Sequence, residues 1–177
     1  MYDASDRSPQ PSRPRAAAGP AGPESARTVF SLSAEETLEL GRATARGLRG
    51  GELMLLEGDL GLGKTVFARG IAVGLGIPAE DVSSPSFTLI QEYRGGRLAM
   101  YHVDLYRLST AEEIGTLGLE EILDSDAVVV VEWGEKLPPH QRRDAIVVRF
   151  HDVGEGSRRI ELLGRPDPEN AARRGDA

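Results

Sequence analysis

The chain of 177 residues contains no cysteine. Disulfide frameworks, thiolate catalysis, iron–sulfur clusters and sulfur-ligated zinc are therefore excluded. Histidine is scarce, and His102, His140 and His151 are too scattered to suggest an all-imidazole metal site. Asparagine occurs once, as Asn170, which leaves no Asn-Lys-x-Asp pattern for guanine recognition. No apolar run approaches the roughly 20 residues that span a bilayer. The first 27 residues lack the apolar stretch of a secretory signal. Net positive charge is missing as well. At a formal −7, the chain is not expected to hold DNA or RNA through a broad basic face. What it does have is 40% hydrophobic residues, enough to bury a core. These bounds lead to the expectation of a soluble, cytoplasmic α/β domain.

Residues 1–27 hold five of the eleven prolines and no large apolar side chain between Tyr2 and Val29. They are expected to form a disordered N-terminal extension. Residues 164–177, polar and broken by proline, are expected to form a flexible C-terminal tail. The folded body is assigned to 28–163, where 14 basic side chains face 22 acidic ones. Thr28–Leu32 reads as a short strand. Ser33 and Glu36 make a capping-box pair, predicting a helix from Ala34 to about Leu48 that stops at Gly50-Gly51. Glu52–Glu57 reads as a buried strand and Lys64–Leu75 as a helix closed by Gly76 and Pro78. Phe87–Tyr93 and Leu98–Val103 flank Arg94–Arg97 as a hairpin. Short helical turns are expected in Thr110–Leu123. Ala127–Val131 has the valine run of a strand covered on both faces. Ala145–His151 and Arg158–Leu163 close the pattern around a Gly154–Ser157 turn.

The most informative stretch is Gly58-Asp59-Leu60-Gly61-Leu62-Gly63-Lys64-Thr65, a full G-x-x-x-x-G-K-[ST] match between a strand and a helix. Glycines let the backbone curl so that successive N–H groups face phosphate oxygens. The helix N-terminus adds unpaired donors and the positive end of a dipole. Lys64 can reach the β- and γ-phosphates, and Thr65 can offer its hydroxyl to Mg²⁺. From the chain's own composition, about 0.003 such matches are expected by chance. Of 21 basic residues 19 are arginine, yet the position that needs a compact ammonium is lysine.

Two acids at strand ends accompany the cradle. Val128–Val131 followed by Glu132 has the form of a Walker B strand, ending where ligands bind in parallel sheets. Glu132 is therefore a candidate Mg²⁺ ligand, directly or through water. Asp104, after Met100–Val103, is a candidate for orienting the attacking water or a metal-bound one; a structural aspartate is the alternative. His102 reads as a packed strand histidine rather than a catalyst. Hydroxyls in Ser83-Ser84-Pro85-Ser86-Phe87-Thr88 could sense a γ-phosphate as switch loops do, or form an ordinary turn. Trp133 could plug the core or anchor a partner. A small-molecule kinase would use the same cradle with an arginine-bearing lid, for which only Arg94–Arg97 and Arg142–Arg143 are available.

GDLGLGKT, SPSFTLIQEY, YHVDLYRL and VEWGEK, in this order and spacing, resemble the bacterial tRNA threonylcarbamoyladenosine biosynthesis ATPase family (TsaE, formerly YjeE) over residues 28–163. Val66 and Ser86 stand where the family more often carries threonine. The resemblance implies a three-layer αβα P-loop NTPase fold with a mixed sheet and parallel central strands. It also implies an ATPase with Mg²⁺ that supports modification of adenosine 37 in tRNA. On that likeness Asp59–Thr65 bind the phosphates, Thr65 and Glu132 hold Mg²⁺, and Asp104 serves hydrolysis together with Glu132. Arg158 falls in a strand that could close over the nucleotide. The partner implied is a TsaB–TsaD heterodimer, through which tRNA is met only indirectly; an acidic body agrees with that. Rival readings are the small-molecule kinase and an ATP-dependent assembly scaffold that needs no hydrolysis.

Overall fold

A computed structural model describes residues 26–164. All but the last two positions of the expected N-terminal extension, and all but the first of the expected tail, lie outside the described residues. The strands are β1 (Arg27–Ser31), β2 (Leu53–Glu57), β3 (Ile90–Tyr93), β4 (Met100–Asp104), β5 (Val128–Glu132), β6 (Ile146–Gly154) and β7 (Ser157–Leu163). The α-helices are α1 (Ala34–Ala45), α2 (Lys64–Gly74), α3 (Ala111–Gly115) and α4 (Leu119–Leu123). The strands form one sheet in the order β1-β7-β6-β2-β5-β4-β3. Its centre, β6-β2-β5-β4, is parallel, while β3, β7 and β1 join antiparallel. The sheet is mixed with parallel central strands, as the sequence led us to expect.

The period of two along each strand sorts the core onto two faces. Met54, Leu56, Val128 and Val130 pack with Leu40 of α1 and with Phe67 and Ile71 of α2. The alternate set, Leu53, Leu55, Val129 and Val131, packs with Ile114 of α3 and Leu119 and Leu123 of α4. Helical layers on both faces explain why β2 and β5 read as nearly unbroken apolar runs. On the first face α1 and α2 approach closely because glycines line the contact. A Cβ built on Gly70 would lie 2.1 Å from the Leu38 carbonyl oxygen, and one on Gly41 2.3 Å from that of Phe67.

Several boundaries differ from the sequence reading, most by one or two residues and β6 by three at its end, and two of the larger shifts have an identifiable cause. α1 ends at Ala45 rather than near Leu48. The carbonyls of Ala43, Thr44 and Ala45 are taken by the amides of Arg46, Gly47 and Leu48 three residues on, the Arg97 guanidinium adds bonds to the oxygens of Ala45 and Leu48, and the Glu52 carboxylate accepts from the amides of Arg49 and Gly50. β3 begins at Ile90 rather than Phe87 because Leu89 is left-handed (φ 64°) and its amide turns back onto the Pro85 carbonyl at 2.6 Å. Phe87 is left 84% exposed. The capping box of α1 is also displaced: Ser33 accepts from the Glu36 amide, but Glu36 reaches back to the amide of Leu32.

Candidate functional site

The stretch between β2 and α2 is shaped by three left-handed glycines, Gly58 (φ 132°), Gly61 (φ 83°) and Gly63 (φ 94°). At Gly58 the requirement is steric as well, since a Cβ there would stand 2.5 Å from the Phe150 carbonyl oxygen on β6. Only glycine accepts both the dihedral and the contact. The loop runs into α2 with no side-chain cap and no acid in the first turn. By contrast, α1 and α3 are capped by Ser33 and Thr110 and carry acids in their first turns. The N-terminus of α2 thus keeps its amide donors and its positive dipole end available, the arrangement that favours an anion.

Lys64 opens α2 and is only 4% exposed. Its Nζ donates to the carbonyls of Gly58 (2.5 Å) and Asp59 (2.7 Å), tying helix to loop. Burial pulls its pKa below the ordinary value, opposed in decreasing order by Glu132, Glu135, Asp104 and Asp59. Next to it Thr65 donates to Glu132 Oε2 at 3.0 Å. Glu132 and Asp104 are neighbours in the parallel register of β5 and β4, and both are buried. Asp104 Oδ2 accepts from Ser86 Oγ at 2.6 Å and from Ser84 Oγ at 3.4 Å, while Oδ1 takes the Tyr106 amide. The serine loop is therefore fastened to the acid at the end of β4.

These groups enclose a cavity of about 450 Å³, which Leu60, Gly61, Gly63, Lys64, Thr65 and Val66 line from the loop side. Asp104, Glu132, Ser84, Ser86 and Trp133 meet them from the sheet side. Asp59 and Leu62, expected with the rest of the cradle, instead line a second cavity of about 530 Å³ beside Phe150. The backbone carbonyl of Asp59 nevertheless holds Lys64. Oxygen donors from one hydroxyl and two carboxylates suit a hard cation. The small number of protein ligands fits Mg²⁺, which keeps waters and substrate oxygens in its shell, rather than an all-protein cage. Accordingly, among the described residues no group of three or more acids and histidines could hold a metal ion unaided.

His102 is packed within β4, as read from the sequence, and it also contacts the site. It lies on the same face of β4 as Asp104, two residues away, and its Nε2 meets Glu132 Oε1 at 2.8 Å. The period of two carried this signal. Arg158 does not line the cavity. Its guanidinium donates to Ser33 O and Thr37 Oγ1 and would stand 3.6 Å from a Cβ on Gly63, so it backs the loop from behind.

Lys136, singled out only within VEWGEK, spends its ammonium on the carbonyls of Leu105, Tyr106 and Leu108 at 2.7–3.0 Å. It thereby holds the segment after β4, from which Tyr106 and Arg107 reach the cavity. Three of the four arginines available for a kinase lid are engaged elsewhere: Arg94 with Glu92, Arg97 with the carbonyls of Ala45 and Leu48, Arg142 with Glu57.

The parallel sheet, the glycine loop opening onto an uncapped helix, and the paired acids define a P-loop NTPase-like α/β protein. A family model described as "Threonylcarbamoyl adenosine biosynthesis protein TsaE" matches residues 31–160. Proteins named tRNA threonylcarbamoyladenosine biosynthesis protein TsaE are similar over most of their length. That of Treponema pallidum is 38% identical over 132 residues, 75% of this chain and 96% of the relative. That of Bacillus subtilis is 41% identical over 125 residues, 69% and 77% of the respective chains. The crystal structure of Bacillus subtilis YdiB superposes with a TM-score of 0.64 at 30% identity, covering 86% of this chain and 97% of that one. The chain belongs to the TsaE family. No described helix is long and apolar enough to cross a membrane.

Proposed function

We propose that this chain is a Mg²⁺-dependent ATPase of the cytoplasm that serves tRNA threonylcarbamoyladenosine formation at adenosine 37. It does so by docking on a TsaB–TsaD heterodimer and hydrolysing ATP to allow repeated turnover. The observation that carries this reading is the arrangement of buried Lys64 and Glu132 with Thr65 at an uncapped helix N-terminus, with Asp104 beside it. In it the amides of residues 61–65 and the Lys64 ammonium bind the phosphates. Thr65 and Glu132 would hold Mg²⁺, which when bound would supply positive charge beside the phosphates. Asp104 orients the attacking water. Its carboxylate, already bonded to Ser84 and Ser86, also ties hydrolysis to the conformation of the serine loop.

The acidic body supports contact with tRNA through partners rather than alone. The engagement of Arg94, Arg97 and Arg142, three of the four candidate lid arginines, weighs against the small-molecule kinase. Calorimetric titration with ATP and Mg²⁺, followed by phosphate release with and without the heterodimer, tests the reading. Expected are binding by the isolated chain, slow hydrolysis alone, and faster hydrolysis with the heterodimer. Failure to bind ATP overturns it. A variant that binds ATP and the heterodimer without hydrolysing, yet sustains modification over many turnovers, would leave an assembly scaffold.

A further inference from the structure

His102 is fully buried in the middle of the sheet, between β3 and β5. Its Nε2 lies 2.8 Å from Glu132 Oε1, and its Nδ1 is buried with no hydrogen-bond partner among the described residues. The other oxygen of the same carboxylate, Oε2, accepts from Thr65 Oγ1 at 3.0 Å. A carboxylate only accepts, so Nε2 is the ring nitrogen that donates. Nδ1 is then left as a polar atom with nothing to bond, a cost that a core residue chosen for packing would avoid. Leucine or phenylalanine fills such a position with no orphaned nitrogen. Retaining the imidazole makes physical sense if the single bond from Nε2 is what the position is for.

We infer that His102 is the positioning residue of Glu132: it pins Oε1 so that Oε2 is presented to Thr65 and the α2 N-terminus. This rests on the ATPase reading above, in which Glu132 and Thr65 hold Mg²⁺. The carboxylate is clamped from two sides, by a hydroxyl on α2 and an imidazole on β4. Its rotation about the last side-chain torsion is thereby removed before any ligand arrives. Outer-shell partners of metal-ligating groups act in this way, orienting a ligand they do not replace.

The test uses the full chain with His102→Gln and His102→Asn. The Gln amide nitrogen stands about where Nε2 does and the Asn amide nitrogen about where Nδ1 does, so the two are polar alike and only Gln can donate to Glu132. ATP binding is measured by calorimetry with and without Mg²⁺, together with thermal melting and, with the heterodimer, kcat and KM. Both variants are expected to bind metal-free ATP as the wild type does. The Asn variant should lose about tenfold or more of the affinity that Mg²⁺ adds, with a fall in kcat and a matching rise in KM for ATP in the presence of Mg²⁺. The Gln variant should keep most of both.

If Asn does not fold, His102→Leu takes its place and must show the same loss. Equal Mg²⁺ responses in the Gln and donor-less variants, or a loss that merely follows melting temperature, would overturn the inference. A wild-type chain that binds no ATP overturns the functional reading, and this inference with it. A wild-type chain that binds ATP while the variants rank otherwise overturns this inference alone.

Discussion

The Lys64 ammonium lies 4.1 Å from the centre of the Trp133 ring while donating to two loop carbonyls. The sole tryptophan of the chain is therefore in contact with the lysine that opens α2 and closes the proposed phosphate cradle. Trp133 is half-buried against the core that α3 and α4 cover, left-handed at φ 60°, and tilted against Tyr106 at 5.2 Å.

Lys64→Ala should abolish ATP binding in calorimetry, because the ammonium supplies the charge that closes the cradle. Trp133 emission should shift in the unliganded variant, since a cation over the ring is removed, and should no longer respond to ATP. Near-normal affinity would remove the cradle from the account.

Glu132→Gln and Asp104→Asn keep the shape of each side chain and remove its charge. Each should lower hydrolysis by roughly 10²-fold or more, read as phosphate release in the presence of the heterodimer. Asp104→Asn should leave ATP affinity nearly unchanged. Undiminished hydrolysis in both would assign the two acids to structure alone.

Gly70→Ala probes the α1–α2 contact, distant from the chemistry. Alanine improves helix propensity by about 1 kcal/mol, but its Cβ would meet the Leu38 carbonyl at 2.1 Å and the Gly41 Cα at 3.0 Å. Backbone cannot yield as a side-chain tip can. We expect a net loss of about 2 kcal/mol, of the order that overpacking costs, measured by denaturant unfolding.

Glu113 offers a pH signature. Hydrogen bonds from the Ser109 and Thr110 amides hold its pKa below the ordinary 4.5. A carboxyl depressed in the folded state stabilises above its unfolded pKa, and that contribution fades as pH falls from 4.5 through the lower folded value. Hydrogen exchange of the α3 amides should accelerate in that acid window relative to the rest of the sheet. In Glu113→Gln the α3 amides should already be less protected at neutral pH and depend less on acid.

Much of this was legible in the sequence, and the reason lies in residue types with few physical uses. A glycine-spaced loop ending in Lys64-Thr65 has one strong reading, and Val128–Glu132 could be placed beside it because a valine run marks a strand covered on both faces. The parity of β4 was equally available: His102 and Asp104, two apart, had to share a face, and that face is the one Glu132 occupies.

Other features depended on contacts far apart in the chain. The stop of α1 at Ala45 is only partly local: its last turn closes on the amides of Arg46, Gly47 and Leu48, but the guanidinium that also holds the Ala45 oxygen comes from Arg97. The roles of Lys136 and Arg158 are set by carbonyls and hydroxyls that tertiary structure brings to them. The separation of Asp59 and Leu62 from the main cavity follows from the path of the loop over Phe150, which spacing alone does not encode.

Arg158 reaches Thr37 across 121 residues of sequence and braces the loop at Gly63 from the rear. During synthesis the glycine loop and α2 therefore emerge from the ribosome long before their support does. A nascent chain halted ahead of β7 would carry the full motif yet lack the strut behind it. The loop thereby gains its rear support only when almost the whole sheet has assembled.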